Sequence, residues 1–220
     1  MIIFTDGSTI NNGKKNAVGG VGIFIPKQGI IEEWSLSYSL LSMDTLKVTN
    51  QVSELIAIIL AIEKGIQLTK ETIYIYTDSK YAIGCATAWS DKWVKNNWKK
   101  ASTGKIIDNL WLIYRLVQLT RKYPIIYKHT NAHMDAPNDI NSDEYKIWNG
   151  NDKADKLAQD GSKNIIELNP LTKILKWSTL ASLLVCGMKN DIKCGLPFIK
   201  EIKIFYNKIL NINTDVEVLE

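Results

Sequence analysis

Cysteine is scarce in this sequence of 220 residues, which contains only Cys85, Cys186 and Cys194. None of the three has the paired spacing of a cysteine metal site. Isolated cysteines of this kind are typical of free or buried thiols in a reducing compartment. The sequence therefore argues against a disulfide framework and against a metal site built from cysteine.

Long hydrophobic runs are also missing. The longest apolar stretch near the C-terminus, Leu180 to Val185, is interrupted and much shorter than the roughly 20 residues that a membrane-spanning helix requires. The first residues do not have the architecture of a signal peptide, because Asp6 follows directly after a short apolar and β-branched run. We therefore expect a cytoplasmic protein that does not associate with a membrane.

A strong excess of one charge is absent as well, since the net charge is +4. With 45% hydrophobic and 23% charged residues, the composition is that of a globular protein and not of a disordered chain. The mild basic excess is compatible with nucleic-acid binding but does not by itself indicate it. The length allows one full α/β domain and an appendage.

Strand and helix patterns alternate along the first 161 residues. We expect strands at Met1–Thr5, Val18–Pro26, Ile31–Tyr38, Thr72–Thr77 and Pro124–His129. We expect helices at Gln51–Leu68, directly after a cap at Asp78 or Ser79, at Ile106–Arg121 and at Asp152–Gly161. The order β-β-β-α-β-α-α-β-α predicts an α/β fold, a mixed five-stranded sheet flanked by helices.

The remaining part of the chain shows a different pattern. Apolar residues recur at helical spacing from Leu171 to Val185, and Pro197 to Leu210 could form another helix. We therefore divide the chain into a domain over residues 1–162 and a C-terminal helical extension over residues 163–220.

Four carboxylates lie where the predicted fold is ordered. Asp6 and Asp78 are expected at the ends of strands, where ligand sites form in open α/β sheets, and Glu54 and Asp155 are expected on helices. Converging carboxylates would repel one another without a compensating positive charge. Such a set suits Mg²⁺, which prefers oxygen ligands. Each residue alone has an ordinary alternative, since Asp78 could cap a helix and Glu54 could lie on a helix surface.

Four sequence blocks, taken in order, resemble the type 1 ribonuclease H family over about Ile2 to Gly161. The blocks are Phe4–Ser8 with Gly19–Gly22, Thr49–Ala57, Thr77–Tyr81 and Gly150–Ala158. The resemblance implies a ribonuclease H-like fold and an endonuclease that hydrolyses the RNA strand of RNA–DNA hybrids and leaves 3′-hydroxyl and 5′-phosphate ends. It also implies two bound Mg²⁺ ions, for which Mn²⁺ can substitute, with Asp6, Glu54, Asp78 and Asp155 as ligands.

The resemblance assigns a further catalytic role to His133. In the family, a histidine at this place lies in a flexible loop and assists attack or product departure, as an imidazole that titrates near neutral pH can do. The alternative is a loop histidine without a role. The segment from Met134 to Gly150 looks about a dozen residues longer than the family's usual loop, which suggests either a flap or a tolerated surface insertion.

Substrate contacts are also implied by the resemblance. Tryptophans and lysines interleave at residues 89–105, as in the basic protrusion with which many type 1 enzymes grip the DNA strand. The alternative is that the tryptophans are core and the lysines only solubilise. The implied contacts are Asn12, Thr49, Asn50, Gln51, Trp89, Trp93, Lys95, Trp98, Lys99, Lys100 and Asn151.

Other functions remain open on the sequence. One is a nucleotidyl transferase of the same fold, such as an integrase or resolvase, and another is a noncatalytic hybrid-binding module. For the main interpretation we expect a monomer that removes RNA primers or hybrids during DNA replication and repair. A third possibility is that the C-terminal extension docks a protein partner.

Overall fold

The computed structural model describes residues 1–41, 48–132 and 134–164, and these contain five strands and five helices. The strands are β1 (Ile2–Ile10), β2 (Val18–Ile25), β3 (Trp34–Leu41), β4 (Ile73–Thr77) and β5 (Ile125–His129). The helices are α1 (Asn50–Leu68), α2 (Lys80–Ala86), α3 (Ser90–Lys95), α4 (Leu110–Lys122) and α5 (Asp143–Lys163). His133 and the predicted helices of the C-terminal extension lie outside the described residues.

The strands form one mixed sheet in the order β3-β2-β1-β4-β5. The first three strands are an antiparallel meander, and β4 and β5 add to it in parallel. The predicted α/β fold with a mixed five-stranded sheet and flanking helices is confirmed. The prediction placed two helices between β4 and β5, whereas the structure has three, because the short α3 precedes α4.

Helix α1 fills one side of the sheet. All residues from Val52 to Gly65 are buried, because α1 packs against the sheet on one side and against α4 and α2 on others. Thr49 begins the helix, where its hydroxyl accepts a hydrogen bond from the Val52 N–H at 3.3 Å. Within the described residues, no helix is long and apolar enough to cross a bilayer.

Helix α5 covers the other side of the sheet through very small residues. An added Cβ at Gly20 would lie 2.5 Å from the Ser162 nitrogen, and one at Gly22 would lie 2.6 Å from the Ala158 nitrogen. These glycines face Ala154 and Ala158, both fully buried. The backbone of α5 therefore rests almost directly on the backbone of β2.

The prediction for the first strand was too short. Gly7 and Ser8 resemble a turn in the sequence, but β1 continues to Ile10 because its second half pairs with β2, from Asp6 opposite Gly22 to Ile10 opposite Val18. Asp6 therefore lies in the middle of β1 and not at its end.

The interpretation of residues 134–150 as one long loop was wrong in its second part. Helix α5 begins at Asp143, nine residues before the predicted start at Asp152. Ser142 caps it by accepting a hydrogen bond from the Tyr145 N–H at 3.0 Å, and the acidic side chains of the first turn suit the positive end of the helix dipole.

Candidate active site

Three of the four carboxylates meet at one point of the sheet. One oxygen each from Asp6, Glu54 and Asp78 lies within 4.8 Å of the others. The parallel register of β1 and β4 explains two of them, since Phe4 pairs with Tyr76 and both aspartates lie two residues further along. The parallel pairing of β1 and β4 ends at Phe4 and Tyr76, and the two carboxylates follow just beyond it.

Gly7 brings the third carboxylate to this point. A Cβ at Gly7 would lie 2.7 Å from the Ser53 carbonyl carbon and 2.8 Å from Glu54 Cα, distances that no real side chain tolerates. Only glycine therefore lets β1 approach the first turns of α1 closely enough to place Glu54 beside Asp6.

Burial and mutual repulsion strongly perturb these acids. Burial, followed by the charges of Asp78 and Asp155, raises the pKa of Asp6 to about 8, against a weaker lowering effect of a hydrogen bond from the Gly7 backbone. Burial and then the charges of Asp6 and Asp78 raise the pKa of Glu54 well above its ordinary value. Without a cation, the site therefore retains protons that ordinary carboxylates lose.

One oxygen of the cluster has no hydrogen-bond partner. The Oε2 atom of Glu54 is buried and, among the described residues, accepts no hydrogen bond. A buried acceptor without a partner costs free energy, and a buried anionic one costs more. A divalent cation with hard oxygen ligands would satisfy this atom and offset the repulsion, so the residues present fit such an ion.

The fourth carboxylate approaches from α5. Asp155 is close enough to Asp6 for its charge and a side-chain hydrogen bond to raise the pKa of Asp6. The amide nitrogen of Gln159 donates to both oxygens of Asp155, at 2.9 Å each. Asp155 thus adjoins the three-carboxylate group and accepts its hydrogen bonds from Gln159, a neutral side chain.

The metal-free protein is expected to lose stability as the pH rises from about 4 to about 8. The pKa of Asp6 is about 8 in the folded chain against 3.8 for a free side chain, so over this range the unfolded state releases a proton that the folded state keeps. The stabilisation is therefore complete below about pH 4 and is lost as the pH rises through about 8. Urea unfolding in EDTA at several pH values measures this slope, and a flat profile would contradict the pKa assignment.

The polar residues predicted to contact substrate gather at the start of α1. The Oδ1 atom of Asn12, in the turn after β1, accepts a hydrogen bond from the Asn50 N–H at 3.2 Å. Thr49 caps the helix, and Gln51 is exposed beside it. Asn151 lies elsewhere, where its Oδ1 accepts a hydrogen bond from the hydroxyl of the buried Thr130 at 2.7 Å.

The tryptophans of the predicted protrusion are only partly available. Trp93 and Trp98 are half-buried against the main core, while Trp89 is 39% exposed. Trp89 meets Trp93 edge-on with ring centroids 5.9 Å apart, and Trp98 meets Tyr114 in the same way at 5.4 Å. Trp93 and Trp98 therefore contribute to packing, and Trp89 is the more accessible ring.

The lysines of the protrusion lie outside this aromatic packing. Lys95 and Lys99 are exposed, whereas Lys100 donates to an Asp108 oxygen at 2.7 Å. Lys95 and Lys99 thus present most of the uncompensated positive charge among the lysines assigned to substrate.

Several residues of this region were not found from the sequence. Gln159 and Gly7 are two, and a third is Trp148, whose indole N–H donates to the Met134 carbonyl at 2.8 Å, next to His133 in the chain. The helical spacing of Gln159, one turn after Asp155, was the available signal. The contacts of Gly7 and Trp148 carry no local signal, because they join residues that only the fold brings together.

The sequence of this chain is similar to that of known proteins. Residues 1–163 match the sequence model of the RNase H family. A ribonuclease H of Schizosaccharomyces pombe is 34% identical over 161 residues, which cover 73% of this chain and 52% of that protein. A ribonuclease H of Clostridium botulinum is 32% identical over 163 residues, which cover 73% of this chain and 93% of that protein.

The fold also matches solved structures. The crystal structure of LC9-RNase H1, described as a type 1 RNase H with the type 2 active-site motif, aligns with a TM-score of 0.56 at 22% identity, over 73% of this chain and 71% of that one. At this identity the likeness concerns the fold alone. The chain spans about half the length of the S. pombe and mammalian relatives that it matches.

Proposed function

The chain belongs to the RNase H family, and on this basis we propose that it hydrolyses the RNA strand of RNA–DNA hybrids, leaving 3′-hydroxyl and 5′-phosphate ends. The observation that carries the proposal is the buried group of Asp6, Glu54 and Asp78, in which an oxygen of Glu54 has no hydrogen-bond partner among the described residues. A group of this kind is costly to a fold unless it binds a cation. Nucleases that act through divalent ions require such a group.

Two Mg²⁺ ions, or Mn²⁺ in their place, would be held by these three carboxylates and Asp155. When bound, such a pair of ions activates a water molecule for attack on a phosphodiester and stabilises the departing oxygen. The pKa of Asp6 is raised by the charges of both Asp78 and Asp155, so its carboxylate would be one of the ligands that such ions stabilise most.

The remaining residues would bind and orient the hybrid. Asn12, Asn50 and Gln51 form one polar edge, suited to contacts in the minor groove, where 2′-hydroxyls mark the RNA strand. Thr49 at the start of α1 would contact a phosphate of the DNA strand. We further propose that the His133 imidazole moves a proton during attack or product departure, and that Asn151 contributes to substrate binding.

The broader biology follows as part of the proposal. Residues 1–162 would act as a monomeric catalytic domain that removes RNA primers or hybrids during DNA replication and repair in the cytoplasm. Residues 163–220 would bind a protein partner.

A hybrid labelled on its RNA strand tests the proposed activity directly. We expect cleavage with Mg²⁺ and none in EDTA, no cleavage of matched DNA and RNA duplexes, and fragments that carry 3′-hydroxyl ends. Asp78→Asn should remove cleavage while leaving hybrid binding intact. Equal cutting of the DNA duplex would favour a nucleotidyl transferase of the same fold, and binding without cutting would favour a noncatalytic module.

Replacing Lys95, Lys99 and Lys100 with alanine should weaken hybrid binding and flatten its salt dependence. Each lysine that neutralises a phosphate contributes about 0.9 to the slope of log affinity against log salt, so we expect a reduction of about 2 to 3. A matched control replaces Lys27, Lys70 and Lys122, which are exposed at the opposite end of the sheet. Fluorescence anisotropy at several salt concentrations gives both slopes, and equal slopes would exclude the protrusion as a binding element.

A further inference from the structure

A chain of hydrogen bonds along α5 ends at the fourth carboxylate. Asp155, Gln159 and Lys163 follow one another at intervals of four residues and so share one face of the helix. The Gln159 amide nitrogen lies 2.9 Å from both Asp155 oxygens, and the Lys163 ammonium lies 2.9 Å from the Gln159 amide oxygen.

The two charged groups at the ends of this hydrogen-bonded series, Asp155 and Lys163, fix the orientation of the Gln159 amide. An ionised carboxylate only accepts hydrogen bonds and an ammonium group only donates them, so just one orientation of the Gln159 amide satisfies both neighbours. Lys163 therefore holds Gln159 with its nitrogen toward Asp155, and Gln159 in turn holds the carboxylate of Asp155.

Gln159 orients Asp155 without neutralising it. A carboxylate offers about four lone-pair sites, and the amide nitrogen of Gln159 approaches one site on each oxygen. The sites that remain adjoin Asp6 and are the ones that a cation would use. A lysine or arginine at position 159 would instead place a positive charge where it competes with that cation.

We propose that Gln159 is a positioning residue that sets the cation affinity of the Asp155 side of the site, and that Lys163 supports it. This inference rests on the proposed function, because it assumes that Asp155 binds a cation. Partners that orient a metal ligand change metal affinity by about 10- to 100-fold when they are lost. Both hydrogen bonds of the Gln159 amide nitrogen go to Asp155, so the affinity of the group of Asp6, Glu54 and Asp78 should depend on Gln159 much less.

The test is a Mn²⁺ titration of the full-length protein without substrate, followed by electron paramagnetic resonance of the free ion. Asp155→Asn identifies the binding step that depends on Asp155. Gln159→Leu should weaken that same step about 10-fold or more and change the other step less than about twofold. Lys163→Met should also weaken the Asp155-dependent binding step, but by a smaller factor than Gln159→Leu.

Two further variants separate positioning from a structural role. Lys146→Met removes an exposed ion pair with Asp143 from the first turns of the same helix and should leave both binding steps unchanged. The double variant Asp155→Asn with Gln159→Leu should bind Mn²⁺ as Asp155→Asn alone does, because the two effects act through one carboxylate.

The outcomes distinguish this inference from the proposed function. If Gln159→Leu lowers thermal stability but leaves both steps unchanged, Gln159 is only structural and the inference is overturned. The inference is also overturned if Asp155→Asn leaves the titration unchanged. If Asp6→Asn does not weaken Mn²⁺ binding either, the proposed cation site itself fails.

Discussion

Replacing Asp6 with asparagine is expected to lower hybrid cleavage strongly and, in the same protein, to raise the stability of the metal-free fold. Cleavage should fall on the order of 10³-fold, the upper range for the loss of one electrostatic stabiliser, because Asp6 is a proposed ligand of the cations. Stability should rise because burial and the neighbouring acids raise the pKa of Asp6 to about 8, so that ionising it in the fold is costly. Asparagine has a similar shape and no charge.

The raised pKa gives a lower limit for the stability change. At pH 8 the gain should be at least about 1.4 kcal/mol, which is the free energy of a single pKa unit. For a domain of this length that is a rise of about 2 to 4 °C in the melting temperature. Calorimetry in EDTA at pH 5 and pH 8 should show the gain mainly at pH 8.

An exposed aspartate provides the matched control. Asp160→Asn, on the exposed side of α5, removes the same charge away from the cluster and should change neither quantity by more than a small amount. An Asp6→Asn protein that is less stable than the wild type at pH 8 would contradict the electrostatic account. Retained turnover would contradict the assignment of Asp6 as a cation ligand.

Replacing Gly22 with alanine is expected to destabilise the fold by about 3 kcal/mol, the upper end of the usual cost of overpacking. The new Cβ would lie 2.6 Å from the Ala158 nitrogen and even closer to the Ala154 carbonyl oxygen, and these backbone atoms cannot turn aside as a side chain can. Helix α5 must then move away from β2. Because Gly22 pairs with Asp6 and Ala154 adjoins Asp155, cleavage should fall as well.

Chemical unfolding measures this effect against a surface control. Ser35 is exposed on β3, and Ser35→Ala adds no contact with α5, so its stability should stay within about 0.5 kcal/mol of the wild type. If Gly22→Ala unfolds at the same denaturant concentration as Ser35→Ala, the close approach of α5 and β2 does not limit stability.

The elements with strong periodic patterns could be predicted from the sequence. Helix α1 was placed within one residue at its start, because its apolar positions repeat at helical spacing over nearly 20 residues. Strand β4 was placed equally well, since β-branched and aromatic residues precede the turn at Asp78. In these segments the local preferences and the tertiary contacts favour the same structure.

The errors arose where tertiary contacts override local preferences. Gly7 and Ser8 favour a turn, yet pairing with β2 keeps them in a strand. Gly150 resembles a helix breaker, yet α5 continues through it, and glycine is needed there because a Cβ would overlap the Phe4 ring. A single sequence carries no direct record of either neighbour.

The candidate site divides in the same way. The four carboxylates could be proposed from their local sequence blocks, and the structure brings Asp6, Glu54 and Asp78 together. The role of Gly7 depends on how closely two backbones approach, and that distance is a property of the fold. The spacing of Asp155 and Gln159 along the helix indicates that their side chains can meet. Which end of the Gln159 amide faces Asp155 depends on Lys163, one turn further along.

The glycine and alanine contact between β2 and α5 restricts how this chain can evolve. Gly20 and Gly22 are already the smallest residues available, and Ala154 and Ala158 opposite them are nearly so. A larger side chain on β2 could therefore hardly be compensated by a smaller one on α5, or the reverse. Homologous chains should keep these four positions small even as the outward-facing positions of α5 diverge.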